Sequence, residues 1–159
     1  QNTKMRYSLL FTIAILFFAA CKKDKYTTAP QIVFKSYNPD QGSNYSNDNN
    51  QPVMILEITD AEGDLGFIAG KDTAKVYIKN LLTNKEDSLI FPDLRTAGKS
   101  NFKADIEIGL LSVMGGRNLP LNQRPYVDTL YFEVYVKDFA KNKSNVLITD
   151  KPFYYFSLP

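Results

Sequence analysis

The chain has 159 residues, 19 Lys and Arg against 17 Asp and Glu, one cysteine and no histidine. Without histidine there is no Ser-His-Asp triad and no imidazole metal site, and a lone cysteine makes no internal disulfide. The near-balanced charge argues against nucleic acid as a partner, because that binding draws on an excess of Lys and Arg.

Residues 1–20 read as a secretory signal outside the fold. Lys4 and Arg6 flank Met5, the expected initiator, which leaves 1–4 as an upstream extension. Leu9 to Ala20 follow, twelve residues in which only Thr12 is polar. A membrane-spanning helix needs about 20 apolar residues, so this run is too short for a permanent span. "FAAC" then puts two alanines before Cys21. This resembles the lipobox of bacterial lipoproteins, which implies cleavage before Cys21 and lipid on its sulfur and new amino terminus. The competing reading is an ordinary signal peptide ending near a buried cysteine. Without residues 1–20 the charges balance at 17 against 17. Residues 21–30, "CKKDKYTTAP", are polar and end in proline, as a flexible tether would.

Residues 31–159 alternate with period two, the pattern of half-buried strands. "QIVFKSY" at 31–37 is the first. Residues 39–52, "PDQGSNYSNDNNQP", hold Tyr45 as their one large apolar side chain, and their Asn, Ser and Asp content favours disorder. "VMILEITD" puts Met54, Leu56 and Ile58 on one face. "AKVYIKN" turns Val76 and Ile78 one way and Tyr77 the other, and "SLIF" at 88–91 is a shorter candidate. "FKADIEIG" opposes Phe102, Ala104, Ile106 and Ile108 to Lys103, Asp105 and Glu107. "IGLLSVM" is the one weak helix candidate. "LYFEVYVKD" opposes Leu130, Phe132, Val134 and Val136 to Tyr131, Glu133, Tyr135 and Lys137. "NVLITD" and "FYYF" close the set. About seven short strands with turn-rich connections predict an all-β, antiparallel β-sandwich. The outward Tyr77, Tyr131 and Tyr135 are strand formers with a polar tip, or an aromatic strip for sugar or peptide.

"DAEGDLG", residues 60–66, reads three ways. Asp60, Glu62 and Asp64 supply oxygens for calcium, which wants six to eight, with Asp72 or Asp138 as further ligands. Asp60 and Asp64 could instead be the carboxylate pair of glycoside hydrolysis, or the acids could cap main-chain amides in a solvated turn. An EF-hand is excluded, because Leu65 and Lys71 stand where that loop needs glycine and glutamate. Residues 112–127, "SVMGGRNLPLNQRPYV", carry exposed-looking Met114, Leu119, Leu121 and Tyr126. They form either a loop covering the core or a docking surface.

The lipobox, the "DAEGDLG" loop and the turn "DFAKNKSN" at 138–145 together resemble small Bacteroidota outer-membrane lipoproteins with an Ig-like sandwich. The resemblance covers nearly all the chain after residue 20. It implies a lipid-anchored protein of the cell envelope, on the periplasmic face or the cell surface. Lys141 stands where the family usually has glycine; if a positive φ is needed there, Asn142 is the better candidate to take it. The same lineage implies O-glycan acceptors after aspartate at Thr73, Ser88 and Thr129, with Thr129, at a strand start, the least accessible. With no histidine, no P-loop and no tryptophan platform, the expected role is non-enzymatic and free of cofactor unless calcium is bound. That role is a binding or accessory module for an envelope protein or glycan, or else a structural spacer.

Overall fold

The computed structural model describes residues 26–66, 73–91 and 100–159. Cys21, with the signal and lipobox, lies outside the described residues, as does Asp72. Among the described residues there are ten strands: β1 (Gln31–Asn38), β2 (Gln41–Ser43), β3 (Val53–Asp60), β4 (Lys75–Asn80), β5 (Glu86–Ile90), β6 (Phe102–Gly109), β7 (Tyr126–Leu130), β8 (Phe132–Lys137), β9 (Leu147–Ile148) and β10 (Phe153–Ser157). One sheet has the order β1-β3-β6 and a second β5-β4-β8-β9. Every pairing within these two is antiparallel. The seven strands pack as an all-β sandwich around one apolar core.

Alternation generates this core directly. Met54, Leu56 and Ile58 of β3 are fully buried, as are Val134 and Val136 of β8, with Val76 and Ile78 of β4 nearly so. The opposite face of the first sheet is charged. Lys35 lies 3.0 Å from both Glu57 and Asp105, and Lys103 lies 3.1 Å from Glu57. Exposed pairs like these contribute about 0–1 kcal/mol each, so the apolar face decides the register.

Three features differ from the sequence reading. The stretch "LYFEVYVKD" is not one strand. It breaks at Tyr131, where the chain leaves a third sheet, β2-β10-β7, and enters the β8 edge of β4. Leu130 and Phe132 on either side are both fully buried, so the inward alternation survives the change of sheet and hides it. Residues 39–52 are ordered: β2 runs parallel to β10 within them. Asn and Ser favour disorder in isolation, yet here they stand in for main-chain partners. Asn47 accepts from the Asn49 amide at 3.0 Å, and Asn44 both accepts from the Leu158 amide and donates to its carbonyl, at 2.8 and 3.1 Å. "IGLLSVM" forms the end of β6 and a turn, with Leu110 and Val113 fully buried; the one helical turn among the described residues is a 3-10 turn at Leu121–Gln123.

The third sheet docks through aromatic edges. Phe153 of β10 meets Tyr37 and Phe132 at ring-centroid distances of 5.4 and 6.1 Å. Edge-to-face pairs in a desolvated cluster add about 0.5–1.5 kcal/mol each beyond area burial. Truncating Phe132 should therefore cost about 3–5 kcal/mol in chemical denaturation, whereas Glu133→Gln, one residue along and half-buried, should stay within about 0.5 kcal/mol. Equal losses would mean that the ring is not the centre of this packing.

Candidate functional site

Two core faces end in aspartate. In β3 the inward series Met54, Leu56, Ile58 continues to Asp60, the last residue of the strand. In β8 the series Phe132, Val134, Val136 continues to Asp138, one residue beyond the strand. Both aspartates are fully buried. Since β3 and β8 belong to opposite sheets, the two carboxylates meet across the open end of the sandwich. The loop after β3 brings in Asp64. One carboxylate oxygen from each of the three lies within 4.8 Å of the others.

The loop holds Asp64 in place from several directions. Gly63 has φ 66°, which glycine adopts freely. Leu65 is buried in the core. The Asp64 amide donates to Asp60 Oδ2 at 3.1 Å, and the Asp64 carbonyl accepts from the Phe139 amide at 3.0 Å. Asp64 Oδ2 accepts from the Ala140 amide at 3.3 Å. On the other side, Asp138 Oδ1 accepts from the Asn142 amide at 2.7 Å and Oδ2 from the Asn142 side chain at 2.9 Å. Asp60 and Asp64 thus cap main-chain amides as the turn reading expects, but Asp60 is buried where a solvated turn was anticipated. Asp60 Oδ1 and Asp64 Oδ1 are buried without any hydrogen-bond partner.

The rest of the "DFAKNKSN" turn is a lock between sheets. Ser144 Oγ accepts from the Val136 amide at 2.8 Å. Asn145 accepts from the Ile32 amide at 2.8 Å and donates to the Ile32 carbonyl at 2.9 Å, tying β1 to the opposite sheet. Lys141 itself takes the positive φ of 71°; Asn142 does not, which corrects the expected exchange of roles. Asn142 instead spends its main chain and side chain on Asp138.

Other candidates fall elsewhere. Glu62 is exposed and outside the carboxylate group, although alternation had put it with Asp60 and Asp64. In the 112–127 loop, Met114 packs against the core, and Leu119 and Tyr126 are half-buried, so the expected exposure holds only for Leu121, at 71%. That loop is pinned by a residue the sequence reading missed. Asp128, nearly fully buried, accepts from the Arg117 amide and from its Nε at 2.7 and 2.6 Å. Its inward register with Leu130 was the available signal. Among the three acceptor candidates, Ser88 and Thr129 are exposed and Thr73 half-buried, so Thr129 is not the least accessible. Tyr77 and Tyr135 stack on each other at 4.7 Å with an 8° tilt, and Lys143 Nζ lies 4.0 Å from the Tyr135 centroid. These rings engage one another and a lysine, which leaves little free face for a sugar. Tyr131 stands apart from the stack.

Three oxygens this close leave no room for a sugar ring between them, since glycosidase carboxyl pairs stand about 5–9.5 Å apart. The arrangement suits a cation or a shared proton. No family model and no curated protein matches the chain. Among solved structures, a β-glucosidase from Kluyveromyces marxianus in complex with glucose is similar at 11% identity and a TM-score of 0.29; the match covers 82% of this chain and 15% of that one. So weak a likeness supports no conclusion about activity.

Burial, and then the Asp64 charge beside it, push the Asp60 carboxyl up from 3.8 to about 6. A raised native value means that the fold holds the proton more tightly than the unfolded chain does. The associated stability is present below pH 3.8 and is lost as pH rises through about 6. In chelator, the wild type should therefore lose melting temperature relative to Asp60→Asn as pH climbs from about 4 to about 7. A difference that stays flat over that range would show that Asp60 titrates normally.

Proposed function

We propose that this chain is a membrane-tethered, non-enzymatic lipoprotein that serves as a binding or accessory module of the cell envelope, anchored through lipid on Cys21. The carrying observation is a single main-chain hydrogen bond: the Ala61 amide donates to the Thr27 carbonyl at 3.1 Å. It fastens the end of the N-terminal segment to the acidic pole of the sandwich. Six Cα-to-Cα steps lead from Cys21 to Thr27. Fully extended they reach about 20 Å, so a lipid on Cys21 keeps this pole near the bilayer.

The opposite pole then points outward. It carries the β4–β5 turn, the third sheet and the 112–127 loop with Leu121 at its tip. Exposed loops on a rigid sandwich are where recognition is usually built. The Ig-like part of the reading is supported by strand order. With β1, β3 and β6 as A, B and E, and β4, β5, β8 and β9 as C, C′, F and G, the sheets become A-B-E and C′-C-F-G, the sandwich arrangement of that superfamily. The non-enzymatic part is supported by the absence of histidine from the sequence and by the crowding of Asp60, Asp64 and Asp138. An outer-membrane location follows from the lipoprotein resemblance alone.

Cys21→Ser should move the protein from the membrane fraction to the soluble fraction at high salt; continued pelleting would mean another anchor. Orientation is tested separately. With Cys21 acylated, Glu62→Cys and Leu121→Cys each introduce a free thiol for a fluorophore. In vesicles with a headgroup-attached quencher, the label at 62 should be quenched more than the label at 121. Equal quenching would overturn the outward orientation.

A further inference from the structure

We propose that Asp60, Asp64 and Asp138 form a calcium site that clamps the 60–66 loop to the 138–145 turn across the open end of the sandwich. This inference rests on the folded domain and is independent of the lipid tether.

The spacing admits calcium. Calcium binds oxygen at about 2.3–2.6 Å, so two ligands on one ion stand up to about 5 Å apart. The three oxygens lie within 4.8 Å of one another, inside that limit. Magnesium demands near-ideal octahedral geometry at about 2.0–2.1 Å and gives up its waters reluctantly, so it suits a site made of protein carboxylates less well. An all-carboxylate donor set also suits a hard cation rather than zinc or copper.

Burial supplies an independent reason. Asp60 is fully buried, yet its Oδ1 meets no hydrogen-bond donor. Asp64 Oδ1 is in the same condition. A buried carboxylate oxygen without a partner is costly, and such groups are rare in folded proteins unless something binds them. The main-chain and Asn142 donors around the group occupy Asp60 Oδ2, Asp64 Oδ2 and Asp138, fixing the carboxylates while two oxygens stay unsaturated. Asp60 ends one strand and Asp138 directly follows another, so the sheets preset the distance between them.

Three side-chain ligands fall short of calcium's six to eight, and water and main-chain carbonyls would complete the shell. A sparse shell implies weak binding, in the range of about 0.1–1 mM seen for extracellular modules.

The test uses the full chain in detergent, stripped of metal by a chelator and melted in rising calcium chloride, with magnesium chloride at equal ionic strength as the comparison. Calcium should raise the melting temperature with a midpoint in that range, and magnesium should raise it less. At 100 times the dissociation constant, the native-to-unfolded ratio should rise about a hundredfold. Asp60→Asn and Asp64→Asn should each abolish the rise, while Glu62→Gln should keep it. Asp60→Asn removes a buried charge without changing shape, so it should fold even if Asp64→Asn does not. No calcium-dependent rise in the wild type would overturn the site. So would an equal rise in magnesium, or a rise that persists in Asp60→Asn.

Discussion

Everything at the acidic end of the sandwich follows from one constraint: two core-facing strand registers run out of apolar residues at the same level and finish in Asp60 and Asp138. A sandwich must close its open ends, and apolar side chains usually do so. Here the closure is polar. Two buried carboxylates of like charge face each other, and the surrounding loops are arranged around the problem this creates. Leu65 plugs the core beneath the 60–66 loop, Asp64 bridges to the Phe139 and Ala140 amides, and Asn142 holds both oxygens of Asp138. Protonation of Asp60, whose carboxyl burial and then the Asp64 charge push up to about 6, relieves part of the repulsion, and a divalent cation would relieve more of it.

The same device recurs elsewhere in the molecule. Asn80, the inward residue at the end of β4, is fully buried. It donates to the carbonyls of Val113 and Gly115 at 3.1 and 2.9 Å and accepts from the Leu82 amide at 2.9 Å. It thereby joins the β4–β5 turn to the loop that leaves β6. Asp128, inward on β7, captures Arg117 at the far side of that loop. Gly116 is required by this contact, because a Cβ there would stand 2.2 Å from Asp128 Oδ2. Thr149 accepts from the Phe132 amide at 3.1 Å, covering a donor exposed where the chain changes sheets. In Asn80 and Asp128 an inward strand position carries a polar side chain, and that side chain fixes a loop. Burying a polar group without a partner costs about 1–3 kcal/mol, so each of these loops is held in one arrangement by what its displacement would leave unpaired.

This explains what was legible in the sequence. Alternation reports which face a residue points to, and it identified the core positions of β3, β4, β6 and β8 correctly. It reports nothing about which strand pairs with which, so the break at Tyr131 was invisible. Reading the acidic loop as an extended strand put Glu62 with Asp60 and Asp64. The strand in fact ends at Asp60, and the positive φ of Gly63 turns the chain so that Asp64 comes back over Asp60. The deeper signal was present and unused. Asp60 continues the inward series of β3 and Asp138 that of β8, and extending the alternation by one step would have marked both as buried. Lys141 at φ 71° was harder to anticipate, because Asn142 tolerates that region better but is already held by its main chain and side chain to Asp138 within the same turn.

The acidic pole also lies where the N-terminal segment arrives, and a main-chain hydrogen bond joins the two. The Ala61 amide donates to Thr27, and the Ala61 carbonyl accepts from the Asn101 amide at 2.8 Å. The 60–66 loop is therefore shared between the carboxylate group and the attachment of the segment that leads to Cys21. Whatever orders that loop favours both, and linkage makes the effect reciprocal. A cation held by Asp60, Asp64 and Asp138 would stiffen the junction between domain and tether, and tension that peeled Thr27 from Ala61 would weaken the hold on the cation. If Cys21 carries the lipid proposed above, the stiffness of this junction would set how freely the distal loops sweep above the membrane.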